Sequence, residues 1–157
     1  MSIEKVREHF SALGIADRIM EFDVSSATVE LAAKAVGVEG ARIAKTLSFL
    51  VKEEPILIVV AGDGRVDNKK YKATFSAKAK MLSHEQAAEM IGHAVGGVCP
   101  FGVNPDVKIY LDESLRRFDV VYPAAGTSNS AVELTIEELE RASEAIGWVD
   151  VTSVREA

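Results

Sequence analysis

Two apolar runs, Arg42 to Lys52 and Pro55 to Ala61, lie almost back to back with only Lys52-Glu53-Glu54 at the junction. A link this short joins neighbouring strands as an antiparallel hairpin, because a parallel crossover needs a dozen residues or more. Val51, Ile56, Leu57, Ile58, Val59 and Val60 are β-branched or large, so the pair reads as the centre of a sheet. Any fold for this chain has to be built around that hairpin.

The flanking segments read as shorter strands and capped helices. Ile3, Val6, Phe10 and Leu13 predict an amphipathic helix closed by Gly14. Thr28 opens a helix through Val36 with Gly37 as its stop, and Asp67 one that runs to about Thr74. Capping boxes at Ser83-His84-Glu85-Gln86 and Thr135-Ile136-Glu137-Glu138 start helices ending near Ile91 and Gly147. Strands are predicted at 18–24, 79–82, 107–111, 119–122, 131–134 and 148–151, with a turn at Gly62-Asp63-Gly64 and a frayed polar tail after Val151. Several connections between adjacent strands are too short for parallel crossovers. The expectation is one α+β domain over residues 1–157, with a mixed, mainly antiparallel sheet flanked by helices.

At 157 residues and 48% hydrophobic content, one continuous core needs no metal or disulfide staple. The single cysteine, Cys99, excludes an internal disulfide and fits a reducing cytoplasm. The charged start Met1-Ser2-Ile3-Glu4-Lys5 is unlike a signal peptide, and no apolar run reaches membrane-spanning length, so no membrane partner is expected. A net charge of −6 argues against a general nucleic-acid binder. The charge is uneven, however. Arg65 to Lys80 holds six basic residues, Lys69 and Lys70 among them, against the single Asp67; this +5 leaves −11 on the remainder. The segment reads as an ordinary solvated face or as a patch for phosphates.

Two features carry chemistry. Gly96-Gly97-Val98-Cys99-Pro100-Phe101-Gly102 packs three glycines and a proline into seven residues. Such a loop is either a tight turn or a place where bare N–H groups approach a ligand, since glycine has no Cβ to block them. The second is Lys45, inside the apolar run Arg42-Ile43-Ala44-Lys45-Thr46-Leu47. On a strand it shares a face with Ile43, Leu47 and Phe49, which puts its amine either at the sheet rim, snorkelling, or in a pocket. His9, His84 and His93 have no metal-ligand spacing, and no cofactor is called for. Cys99 as a nucleophile would need a positioned base, and a buried inert thiol is the preferred reading. No glycine loop ends in Gly-Lys-Ser/Thr.

Taken in order, several pieces resemble the YbaK/EbsC family of aminoacyl-tRNA deacylases, relatives of the editing domain inserted in bacterial prolyl-tRNA synthetases. They are Ala44-Lys45-Thr46-Leu47, Asp63-Gly64-Arg65-Val66-Asp67, the Gly96–Gly102 loop, and Ala124-Ala125-Gly126-Thr127 leading into Val132-Glu133-Leu134. The resemblance implies a curled mixed sheet and a pocket for the aminoacyl 3′ end of tRNA, whose mischarged ester is hydrolysed in trans. It implies that Lys45 holds the terminal adenosine and its phosphate, with Thr46 beside it. The loop amides, with Gly96 and Gly97 as the catalytic pair, would polarise the ester carbonyl or bind the amino-acid end, and Val98, Pro100, Phe101 and Gly102 would bind substrate beside them. Ala125, Gly126 and Thr127 would line the aminoacyl pocket, with Lys69 and Lys70 on tRNA phosphates. The implied partners are tRNA and an aminoacyl-tRNA synthetase such as prolyl-tRNA synthetase; the amino acid would be a small one such as Cys, Ala, Ser or Thr. The chain departs from many members at Thr127-Ser128-Asn129-Ser130, and has Ser130 and Ala131 where some carry an acid or histidine. No strong general base is evident, so the vicinal ribose hydroxyl of the substrate would orient the water. A non-catalytic module binding tRNA ends or a synthetase is the alternative, and a Schiff-base enzyme using Lys45 ranks last.

Overall fold

The two apolar runs pair as the sequence predicts, and the rest of the chain wraps around them. The computed structural model describes residues 2–93 and 98–154. In chain order it runs α1 (Ser2–Leu13), β1 (Ile19–Glu21), α2 (Val29–Val36), β2 (Ile43–Val51), β3 (Glu54–Ala61), β4 (Gly64–Val66) and α3 (Asn68–Phe75). There follow α4 (His84–Gln86), β5 (Lys108–Asp112), β6 (Val120–Pro123), β7 (Ser130–Val132), β8 (Leu134–Thr135), α5 (Ile136–Ser143), β9 (Gly147–Val149) and β10 (Thr152–Val154).

β2 and β3 are antiparallel from Ala44↔Ala61 to Val51↔Glu54. Lys52 and Glu53 turn the chain with φ of 49° and 67°, the left-handed pair that a two-residue hairpin demands. The hairpin is the centre of a six-stranded sheet ordered β8-β6-β2-β3-β5-β9. The sheet is mixed. β2–β6, β3–β5 and β5–β9 are parallel, β2–β3 and β6–β8 antiparallel, and two further antiparallel ladders, β1–β7 and β4–β10, stand outside it.

Leu57, Ile58, Val59 and Val60 are wholly buried. Successive strand residues point to opposite faces, so both faces of β3 are covered. On one face, Val59 and Ala61 pack with Val6 and Phe10 of α1 and Leu139 and Ala142 of α5. On the other, Ile58 and Val60 pack with Tyr71 of α3. Burying each such aliphatic side chain contributes about 1.5–3 kcal/mol.

The helix caps hold as read. Thr28 Oγ1 accepts from Leu31 N–H, Asp67 accepts from Lys69 and Lys70 N–H, and both capping boxes close. α4 continues into a wide π turn, Ala87–Ile91, whose Glu89 and Met90 carbonyls accept from Asn104 Nδ2 at 2.9 and 3.0 Å. α5 ends earlier than the sequence suggests, at Glu144 with φ of 56°. The predicted strand at 131–134 splits: Ser130–Val132 pairs with β1, and Leu134–Thr135 with β6. No helix of the described residues is long and apolar enough to cross a membrane.

The tail does not fray at Val151. Thr152–Val154 pairs with Val66, Arg65 and Gly64. The cause is Asp112, whose fully buried carboxylate accepts from Ser114 N–H (3.0 Å), Val151 N–H (2.9 Å) and the Thr152 hydroxyl (2.6 Å). Asp112→Ala would strand those buried donors, and should cost about 3 kcal/mol of unfolding free energy in urea titration. A loss below about 1 kcal/mol would show that the carboxylate does not hold the tail.

Candidate functional site

The outer edge of β2 is covered at both ends and open between. At one end β6 pairs with it at Ile43↔Tyr122 and Ala44↔Pro123. At the other, Leu50 N–H donates to Lys80 O (2.8 Å) and Leu82 N–H to Ser48 O (3.2 Å). Over the gap lies a cavity of about 510 Å³ with β2 residues 43–48 as one wall. Ser26 and Thr28 at the entry to α2, Met81 and His84, and Ala124 and Ser130 supply the rest, with Val98 among them. Ser26 Oγ donates towards Ser128 O (3.3 Å) and Ser130 O (3.4 Å), which ties the α2 entry to the second small-residue loop.

Lys45 lies half-buried in this wall, with no carboxylate within ion-pair distance among the described residues. Burial pushes its ammonium pKa below the ordinary lysine value; Asp63 raises it, Arg65 lowers it, and Glu30 raises it. Asp63 is engaged elsewhere, gripped by Arg117 at 3.0 and 2.6 Å, and that hydrogen bonding holds its carboxyl below the usual range. The turn carrying Asp63 sits against the segment after α2 because Gly62 allows it. A Cβ there would lie 2.0 Å from Gly40 O and 2.9 Å from Val29 Cγ1. The result is a partly desolvated cation beside a cavity, surrounded by charge but not paired. Its neighbour Thr46 also lines the cavity, and Thr46 Oγ1 is buried without a hydrogen-bond partner among the described residues.

Of the glycine loop, Gly96 and Gly97 lie outside the described residues. Val98 reaches the cavity wall. Pro100 and Phe101 do not line it: both are buried, and Phe101 packs in the core at 4.7 Å from Phe10. Gly102, at φ +60°, sits against α1, where a Cβ would lie 3.3 Å from the Lys5 main chain. Cys99 and His93 do meet, with Sγ 3.6 Å from Nε2, and Phe101 O takes the His93 Nε2–H at 2.7 Å. Burial pushes the thiol up to about 12 and the imidazole below its ordinary value, so the pair is neutral at physiological pH and offers no thiolate.

In the second loop, Ala125 belongs to the core, Gly126 turns at φ +99°, and the Thr127 hydroxyl is engaged with Asn129 and Ser130. These three do not line the cavity, whereas Ala124, Ser130 and Ala131 do. In the basic segment, Lys70 is occupied: its Nζ pairs with Asp150 at 3.1 Å and donates to Thr152 O at 2.8 Å. Lys69, Lys72 and Lys78 have no ion-pair partner among the described residues and line a second pocket of about 380 Å³ with Asn68 and Ala79. The chain between the two pockets, Ala79 to Met81, is only two residues long, about 7 Å when extended.

Sequence reasoning missed Ser26, Met81, His84, Tyr122 and Ala124 as wall residues. No local signal marks them, because non-local pairing alone brings them to β2. Among the described residues no group of His, Cys, Asp and Glu could hold a metal ion.

Lys45→Met removes a partly desolvated, unpaired charge while keeping the length of the side chain. The variant should melt at the wild-type temperature or higher and lose ligand binding in the cavity. A markedly lower melting temperature would make Lys45 a structural residue.

Comparison with known proteins identifies the family and the fold. The family model for an aminoacyl-tRNA editing domain matches residues 24–142. An uncharacterised Bacillus subtilis protein, YwhH, is 51% identical over 152 residues, covering 96% of this chain and 97% of that protein. Proline–tRNA ligase of Lactiplantibacillus plantarum is 28% identical over 130 residues, 82% of this chain but 22% of the ligase. A crystal structure described as that of a candidate trans-editing enzyme for prolyl-tRNA synthetase superposes with a TM-score of 0.87 at 30% identity, covering 97% of each chain.

Proposed function

The chain belongs to the aminoacyl-tRNA editing domain family, and from that premise we propose that it is a trans-editing deacylase. It hydrolyses tRNA mischarged with a small amino acid such as Cys, Ala, Ser or Thr. The observation that carries this reading is Lys45, a partly desolvated cation with no ion-pair partner among the described residues, in the wall of a cavity of about 510 Å³ at the open edge of β2. Such a group seeks an anion, and the 3′ end of tRNA offers a phosphate beside the ester.

Water adds to the ester carbonyl, the carbon–oxygen bond to the ribose breaks, and the ribose oxygen leaves with a proton. The products are a free amino acid and uncharged tRNA. In this reaction Lys45 orients the terminal adenosine and its phosphate, Thr46 and Val98 contact the aminoacyl end, and the substrate's vicinal hydroxyl positions the water. The amides of Gly96 and Gly97 stabilise the oxyanion, a contribution of roughly 2.7–4 kcal/mol per donor. Lys69, Lys72 and Lys78 contact phosphates further along the acceptor strand. The reaction belongs in the cytoplasm, beside a synthetase such as prolyl-tRNA synthetase.

A panel of Cys-, Ala-, Ser- and Thr-tRNA tests the reading directly. At least one should lose its amino acid far faster than it does spontaneously, and Lys45→Met should remove that acceleration. If none does while tRNA still binds, the chain is a non-catalytic tRNA-end module. Replacing Lys69, Lys72 and Lys78 together with glutamine should weaken tRNA binding and flatten its log–log salt slope by about 2. An unchanged slope would reduce the patch to ordinary surface.

A further inference from the structure

Main-chain polarity along β2 singles out Thr46. In an antiparallel strand alternate residues turn both N–H and C=O to the same edge. Leu50 N–H and Ser48 C=O face outward, since they bond Lys80 and Leu82. By the same alternation Ala44 faces outward, towards β6, at the Ala44↔Pro123 position. Thr46 falls between them, so its N–H and C=O also face outward. Neither has a main-chain partner among the described residues, and Thr46 lines the cavity. A sheet edge left open is ordinarily a template for pairing. Here the opening is one residue wide and walled in, too short for a strand and sized for a small group carrying one donor and one acceptor.

We propose that the main-chain edge at Thr46, unpaired among the described residues, anchors the α-amino ester of the substrate, its C=O accepting from the α-amino group and its N–H donating to an ester oxygen. The inference rests on the deacylase reading and deepens it. Main-chain groups read the part common to all aminoacyl esters, which leaves the amino-acid side chain to the apolar and hydroxyl-bearing wall. The consequence is a requirement for a free amine. An N-acylated ester loses donor capacity at the nitrogen and adds bulk against the β2 edge, so peptidyl-tRNA and N-acetylaminoacyl-tRNA are poor substrates.

The test uses the full chain and the fastest aminoacyl-tRNA of the panel in three altered forms: N-acetylated, desamino, and ending in purine riboside instead of adenosine. Each enzymatic rate is divided by the spontaneous rate of the same ester. The N-acetyl and desamino forms should each lose about tenfold or more of the acceleration, as expected for one hydrogen bond to a charged group, and the purine form should lose less. The desamino form is smaller than the parent, so its loss is not steric. Desamino and parent esters accelerated equally would overturn the inference while leaving deacylation intact. A loss confined to the purine form would also overturn it, assigning the Thr46 edge to the adenine ring. If no aminoacyl ester in the panel is accelerated at all, the deacylase reading fails and this inference falls with it.

Discussion

The eight-pair register between β2 and β3 is the constraint on which the rest depends. Buried on both faces, β3 cannot slip by one residue without turning its side chains to the opposite layers. That fixes β2, and β2 then sets the site. One of its edges is spent on β3. The other is shared by two partners, each too short to cover it, since β6 pairs with only Ile43 and Ala44 and the Lys80–Leu82 segment reaches back only to Ser48. The cavity is what these two partial pairings leave between them. It therefore sits on the central hairpin of the sheet, where the positions of Lys45 and Thr46 are set by a ladder and not by a loop.

Electrostatics at this gap run against stability. A lysine half out of water and a buried threonine oxygen, neither with a partner among the described residues, are both unfavourable in isolation. Asp112 is satisfied by its three donors, whereas the Tyr71 hydroxyl and His93 Nδ1, outside the cavity, are buried without a hydrogen-bond partner among the described residues. What sets the β2 gap apart is that its partly desolvated cation and its unsatisfied hydroxyl both line one open cavity, where a binding partner would relieve them. The buried Cys99–His93 pair lies outside that cavity. Its members are close enough to suggest catalysis, yet sealed and neutral; Nε2 and Sγ both meet the Phe101 carbonyl, and His93 Nδ1 has no partner among the described residues.

Legibility in the sequence followed locality. The hairpin, the helix starts and most helix stops are set by side chains within a few residues, so Thr28, Asp67, Ser83 and Thr135 announce their helices. Three-residue strands are decided by distant partners. Nothing near Gly64 or Thr152 reveals that β4 and β10 pair, and nothing near Glu133 reveals that the chain changes partners there. At the site, Lys45 stood out because a charge in an apolar run has few explanations. The glycine loop was harder to read. Phe101 turns its ring into the core against Phe10, so the loop's composition suggested a single surface where the chain divides between cavity and core. Lys70 could not be told from Lys69 by composition, since its partner Asp150 lies 80 residues away.

The central claim is that the aminoacyl end of tRNA seats against the open edge of β2. It is tested most directly by amide chemical-shift mapping on the ¹⁵N-labelled protein. The probe is a short RNA ending in CCA, with a non-hydrolysable amide in place of the 3′ aminoacyl ester. The account predicts the largest shifts at Lys45, Thr46 and Leu47, with smaller ones at Val98 and Ala124, and from the same RNA without its aminoacyl group a shift at Lys45 but none at Thr46. Shifts confined to the lysine pocket around Lys69 and Lys78, identical with and without the aminoacyl group, would contradict it.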